Sequence, residues 1–95
     1  MTYFKLKGDE LYDNHSHKLA TLRGNDLIDD HSHKVGIIKG NDIYDDHSHK
    51  VLTIKGTDVY DDHSHKIVTF KEIQKQIDGA TGGISLAAFW YFFVR

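Results

Sequence analysis

Gly40-Asn41-Asp42-Ile43-Tyr44-Asp45-Asp46-His47-Ser48-His49-Lys50-Val51-Leu52-Thr53-Ile54-Lys55 is one copy of a unit that recurs every 16 residues. The other copies start at Gly8, Gly24 and Gly56, so four units run in register from Gly8 to Lys71. A fixed period of this kind dictates architecture more firmly than any single motif. It also leaves no singular position where catalytic groups of different types converge.

Each unit holds two strand patterns and two turn patterns. The longer strands are expected at Leu19–Arg23, Val35–Lys39, Val51–Lys55 and Ile67–Lys71, with Tyr3–Lys7 as their counterpart before the first glycine. The shorter ones are Glu10–Asp13, Asp26–Asp29, Asp42–Asp45 and Asp58–Asp61. Side chains alternate between faces along a strand. Phe4/Leu6, Ala20/Leu22, Gly36/Ile38, Leu52/Ile54 and Val68/Phe70 therefore face the core, together with Leu11, Leu27, Ile43 and Val59 of the short strands. Tyr12, Ile28, Tyr44 and Tyr60 share the outer face with Glu10, Asp26, Asp42 and Asp58.

Lys7-Gly8-Asp9, Arg23-Gly24-Asn25, Lys39-Gly40-Asn41 and Lys55-Gly56-Thr57 read as tight turns. Glycine supplies a positive φ, and Asn or Asp is expected to follow it into the left-handed region. The other corners run Asp-Asp/Asn-His-Ser-His-Lys without glycine, so a longer loop is expected there. Asp13, Asp29, Asp45 and Asp61 are placed to accept N–H bonds from that loop, as Asx turns do. Short strands every eight residues, all joined by hairpin turns, make an all-β antiparallel meander. Four copies of one unit predict pseudo-four-fold closure, because closing the array removes exposed edges.

Size and composition narrow the function classes. Ninety-five residues make one small domain that buries only about two thirds of its unfolded surface. There is no cysteine, which excludes disulfides and thiolate metal sites, and no proline to guard edge strands. Formal charge is −2 with histidines neutral, with acids and bases interspersed, so nucleic acid is not an expected partner. Protonating all eight histidines would carry the charge from −2 to −2 + 8 = +6. The amino-terminal MTYFKLKGDE lacks a signal pattern, and a cytoplasmic location is expected.

Beyond residue 71 the period ends. Lys71–Asp78 holds helix formers with Ile73 and Ile77 four apart, and Gly79 is a stop signal. Thr81-Gly82-Gly83 then leads into ISLAAFWYFFVR, a second helix or an extended apolar tail. Its apolar run, Ile84–Val94, has eleven residues against the ~20 that span a bilayer. Phe89, Trp90, Tyr91, Phe92 and Phe93 must be buried in something. Three partners are open: the β-structure of the same chain, a second copy in a homo-oligomer, or a membrane surface. The last is disfavoured by the lack of basic residues beyond Arg95.

Repeats of the form G-x-x-h-Y-D-x-x-x-x-K-h-x-x-h followed by a Gly-rich apolar end resemble the bacterial four-fold β-flower proteins. The likeness runs from Tyr3 through Lys71 and, more loosely, into the tail. It is carried by Gly8, Gly24, Gly40 and Gly56, by Tyr12-Asp13, Tyr44-Asp45 and Tyr60-Asp61, and by lysines 18, 34, 50 and 66. Ile28 departs from the tyrosine in the second unit. The loop departs further, since the resemblance implies Asn, Gly or Ser where this chain repeats His-Ser-His. The resemblance implies petals of β-hairpin about an axis and no particular activity.

His15/His17, His31/His33, His47/His49 and His63/His65 are all the histidines of the chain. Two imidazoles at i and i+2 beside an aspartate are suitable ligands for zinc, nickel or copper. One loop offers too few for a closed structural zinc site, which would need loops to cluster between petals or between molecules. The bland reading is a polar turn copied by duplication; a third is a pH-dependent switch, since an imidazole titrates near pH ~6.5. Catalysis has little support, because a nucleophile needs a base, an orienting group and an oxyanion site held in one pocket. The acidic run lacks calcium-loop spacing, and the tyrosine stripe reads as packing.

The sequence thus predicts an all-β four-repeat domain over residues 1–71 and a helical, apolar segment over 72–95. It predicts no enzyme and no cofactor: a structural or interaction module that self-associates through the aromatic end. The alternative is a metal-binding protein holding zinc or nickel on the His-Ser-His loops.

Overall fold

The structure, a computed structural model, describes residues 4–79 and 83–94. Ten strands form one sheet. They are β1 (Phe4–Lys7), β2 (Glu10–Asp13), β3 (Lys18–Arg23), β4 (Asp26–Asp29), β5 (Lys34–Lys39), β6 (Asp42–Asp45), β7 (Lys50–Lys55), β8 (Asp58–Asp61), β9 (Lys66–Thr69) and β10 (Ile77–Asp78). Neighbours from β1 to β9 pair antiparallel in chain order, and β10 returns to pair parallel with β1, Phe4 opposite Ile77. Between β9 and β10 lies helix α1 (Phe70–Gln74); a second helix, α2 (Ile84–Phe89), continues into a π-helical turn over Trp90–Val94. The ends of the ladder are thus joined through α1. Tyr3, Ala80–Gly82 and Arg95, which the sequence reading used, lie outside the described residues.

The copies adopt one conformation. Gly8, Gly24, Gly40 and Gly56 have φ between 59° and 64°, and each lies in a two-residue turn, as in the pairing of Lys39 with Asp42. The residue after each glycine has negative φ, contrary to expectation; a positive φ at the first turn position alone is the signature of a type II′ turn. This explains why β-branched Thr57 serves as well as Asn25 and Asn41. Each second turn residue also offers its carbonyl to the chain near the end of the same copy: Ile54 N–H donates to Asn41 O at 2.8 Å.

Alternation places most of the core as expected, but Phe4, Leu6 and Leu22 are only half-buried, and Phe70, expected on the last long strand, is half-buried at the start of α1. Leu11, Leu27, Ile43, Leu52 and Val59 are fully buried, and Ala20, Gly36, Ile38, Ile54 and Val68 nearly so. The sequence did not show the β-bulge at the start of each long strand. Leu11 pairs with Ala20 but Tyr12 with Lys18, so Leu19 is the extra residue, as are Val35, Val51 and Ile67 in the later strands. A bulge twists its strand and re-aims the side chain. Leu19, Val35 and Val51 accordingly pack against the core beside their inward neighbours, whereas Ile67, on the last strand, is 38% exposed.

The segment after residue 69 differs most from expectation. The helix starts one residue earlier and is short: Thr69 is its N-cap in a capping box with Glu72, and it ends at Gln74. Ile77, expected on that helix, is instead the buried residue of β10. Gly79 follows with φ +81°, and a Cβ there would stand 2.6 Å from the Leu6 carbonyl oxygen. Helix α2, apolar but for Ser85, is enclosed over its last four residues: Leu86, Ala87, Ala88 and Phe89, with Trp90 after them, join Ile73, Ile77 and the strand residues in one core. Of the three partners open to the aromatic end, the structure supplies the first, its own chain. The boundary at 71/72 therefore marks where the period stops, inside α1.

One substitution inside the repeat makes room for that plug. The equivalent inward positions are Ala20, Gly36, Leu52 and Val68. At Gly36 the ring of Phe92 lies where a side chain would be, with Cε2 2.6 Å from a Cβ position and Cζ 2.8 Å. At this inward position the copies differ in size, and the smallest residue faces the plug.

Candidate functional site

In a meander, alternate turns lie at opposite ends of the strands. The four glycine corners therefore occupy one rim and the four Asp-x-His-Ser-His-Lys loops the other. Eight imidazoles, seven aspartates and four lysines share the second rim.

Each loop is built the same way. In the third, Ser48 N–H donates to Asp45 O at 3.1 Å and Asp45 N–H to His49 O at 2.9 Å. The Asp45 carboxylate accepts at Oδ1 from the backbone N–H of both His47 and His49, each at 2.9 Å. Asp13, Asp29 and Asp61 do likewise, as the sequence predicts. This is a three-residue hairpin loop whose last member takes the left-handed conformation, a place usually given to glycine. Here serine holds it: Ser16, Ser32, Ser48 and Ser64 have φ of 65–67°.

Paired N–H donors stabilise a carboxylate over its acid. The N–H of the second histidine is the main influence holding each of these four aspartates below the ordinary carboxylate value, opposed by partial desolvation and helped by the N–H of the first histidine.

The carboxylate also faces an imidazole. Oδ2 lies 3.5 Å from His17 Nδ1 in the first loop, and 3.9, 3.7 and 3.8 Å from His33, His49 and His65 Nδ1 in the others. The first histidine of the later loops approaches the aspartate before it: His31 Nδ1 is 3.0 Å from Asp30, His47 Nε2 3.8 Å from Asp46, His63 Nε2 3.7 Å from Asp62. Asn14 takes that place in the first loop. Within each loop the two rings stand 6.4–6.5 Å apart, at interplanar angles from 30° to 71°. The histidine side chains in these contacts are 74–79% exposed, the aspartates 21–56%.

The structure thus pairs the sequence-predicted histidines within loops. Among the described residues, one set of three metal-ligand types lies within 4.8 Å, Asp29, Asp30 and His31, all in one loop. No such set spans two petals.

On the outer face, Lys7, Lys39 and Lys55 lie over the rings of Tyr12, Tyr44 and Tyr60 at 5.1–5.5 Å. These lysines precede the glycine corners, a contact across the hairpin that the sequence reading missed. In the first unit the Tyr12 hydroxyl donates to Glu10 at 2.8 Å and Lys18 donates at 3.3 Å. The tyrosine's bond is the first cause that lowers the Glu10 carboxyl, and the same bond raises the Tyr12 phenol. The interior is of another kind. Among the described residues no polar or charged side chain is buried, and the Trp90 indole N–H reaches Gln76 Oε1 at 3.3 Å at the edge of the core.

Among the described residues no helix is long and apolar enough to cross a membrane. No curated protein and no solved structure matches the chain. The 5-fold beta-flower family model matches residues 1–94, the tail included. Its description says five where the sequence resemblance said four. Four is the number of 16-residue copies; β1 and β10, which lie outside those copies, pair with each other and add two further strands to the sheet. Hairpin petals, a sheet returning to its first strand, and a match spanning nearly all residues agree: the chain belongs to the 5-fold beta-flower protein family.

Proposed function

We propose that this chain is a non-catalytic structural or interaction module of a small bacterial, cytoplasmic protein. The observation that supports this reading is the segregation of its chemistry. Titratable groups repeat in four equivalent exposed loops, while among the described residues the core where the strands meet the C-terminal segment is apolar. Acid–base or nucleophilic catalysis requires unlike groups converging around a reacting atom. Display of one loop four times on one rim suits contact with a surface or with another copy.

Self-association is part of the proposal. Phe92, Phe93 and Val94 remain half-buried at the outer end of the plug and offer apolar area to a second chain. Light scattering on the eluting protein, from micromolar to millimolar, tests this. A mass rising to a dimer or higher, and falling back with Phe93→Asp, supports it. A monomer mass throughout removes self-association from the reading.

A further inference from the structure

We infer that each Asp-x-His-Ser-His loop chelates one divalent transition-metal ion, copper, nickel or zinc, through its two imidazoles, giving four equivalent sites per chain. The inference goes beyond the display role and stands without it. Two observations carry it, and the first loop supplies an internal control.

The first is spacing. An ion held ~2.1 Å from a ring nitrogen lies about 3 Å from the ring centre. Centroids 6.4–6.5 Å apart are therefore slightly beyond the roughly 6 Å that one ion spans. The interplanar angles differ among loops although the backbones agree, and the rings lie in water. A small χ rotation of each ring closes the gap without moving the backbone.

The second is orientation. Metal-bound histidines commonly turn their other ring nitrogen to a carboxylate, which fixes the tautomer and raises ligand basicity. Asp13, Asp29, Asp45 and Asp61 place Oδ2 near Nδ1 of the second histidine in all four loops. That leaves Nε2 to face outward. The same carboxylate's Oδ1 holds the loop by two N–H bonds, so one group positions both backbone and ring.

The first loop is an internal control. It has Asn14 where the others have Asp30, Asp46 and Asp62. If two imidazoles are the ligands, it binds as well as the rest. Water completes the coordination, so this is an open surface chelate.

Imidazole suits copper, nickel and zinc, whereas a carboxylate set suits magnesium and calcium. Calorimetric titration of the untagged full chain with copper, nickel or zinc chloride in a non-chelating buffer is expected to give four equal sites. Magnesium is expected to give none. Replacing one second histidine, His49→Gln, lowers four sites to three, and His17→Gln, His33→Gln, His49→Gln and His65→Gln together abolish uptake. Circular dichroism of the metal-free variants checks that they remain folded. The inference is overturned by no uptake in the folded wild type, by three strong sites and one weak, by magnesium uptake, or by loss of a site with Asp30→Asn.

Discussion

The strands over 4–69 and the segment over 70–94 line the same core in opposite ways. The strands contribute by repetition. Leu11, Leu27, Ile43 and Val59 stand at equivalent positions, each fully buried, none with a role the others lack. The segment contributes by singularity: Phe89 is the largest fully buried side chain among the described residues, and the Phe92 ring lies against Gly36. Repetition alone encloses a space without deciding what fills it. The aperiodic end fills it, and Gly36, the one position of its set without a side chain, determines where Phe92 lies.

The sharpest way to break this comparison is to remove the plug's anchor. Phe89→Ala should lower the unfolding free energy by about 3–5 kcal/mol, a large part of the ~5–15 kcal/mol typical of a domain. Urea denaturation followed by tryptophan fluorescence measures it. A loss below ~1 kcal/mol would mean that the petals hold together without the plug.

A second change restores the repeat where the molecule departs from it. Gly36→Leu gives the second petal the residue of the third, Leu52, and so makes the repeats more alike. It should nonetheless destabilise by about 1–3 kcal/mol, because the new side chain meets the Phe92 ring. Phe92→Ala in the same chain should recover part of that loss. A double-mutant cycle in denaturant reads the coupling, and strict additivity would show that Gly36 and Phe92 do not meet.

The loops provide a smaller effect, one of pH. In the folded state Asp13, Asp29, Asp45 and Asp61 are held below their ordinary value, chiefly by the second histidine's N–H. The unfolded chain therefore takes up these protons at higher pH than the folded one. The stabilisation is complete above about pH 4 and is lost as pH falls through the folded values. Melting temperature should decline on acidification below that point. In Asp45→Asn, which keeps an acceptor oxygen and loses the charge, the decline should be shallower. An identical slope would separate these aspartates from acid unfolding.

The same division governs what was legible. Alternation in Leu52-Thr53-Ile54 and the Asp-first loop announce strands and Asx acceptors, because both depend on neighbours in sequence. The bulge at Val51 is invisible, since it arises when a three-residue loop must meet a fixed register across the hairpin. Ile77 reads as helical beside Ile73, and only its partner Phe4, over seventy residues away, makes it a strand. The histidines were legible as residues and as pairs. Their failure to converge between petals was not, because the distance between loops is set by the sheet as a whole.

The two rims permit the finest comparison. Gly40 and Ser48 both have φ near +60°: 61° and 66°. They stand in different turns. Gly40 is the first residue of a II′ turn, a region that favours glycine because any Cβ collides with its own backbone, even where nothing lies within 4 Å outside. Ser48 sits in the left-handed helical region, which other residues enter at a cost of about 1–2 kcal/mol. Ser48→Gly relieves that strain but frees the unfolded chain, an opposing effect of about 0.4–1 kcal/mol. The expected net gain is therefore between about 0 and 1.6 kcal/mol for one loop. Gly40→Ser should lose more than Ser48→Gly gains. Equal and opposite shifts in melting temperature would mean that the rims share one turn geometry, and that serine stands at one of them for its side chain.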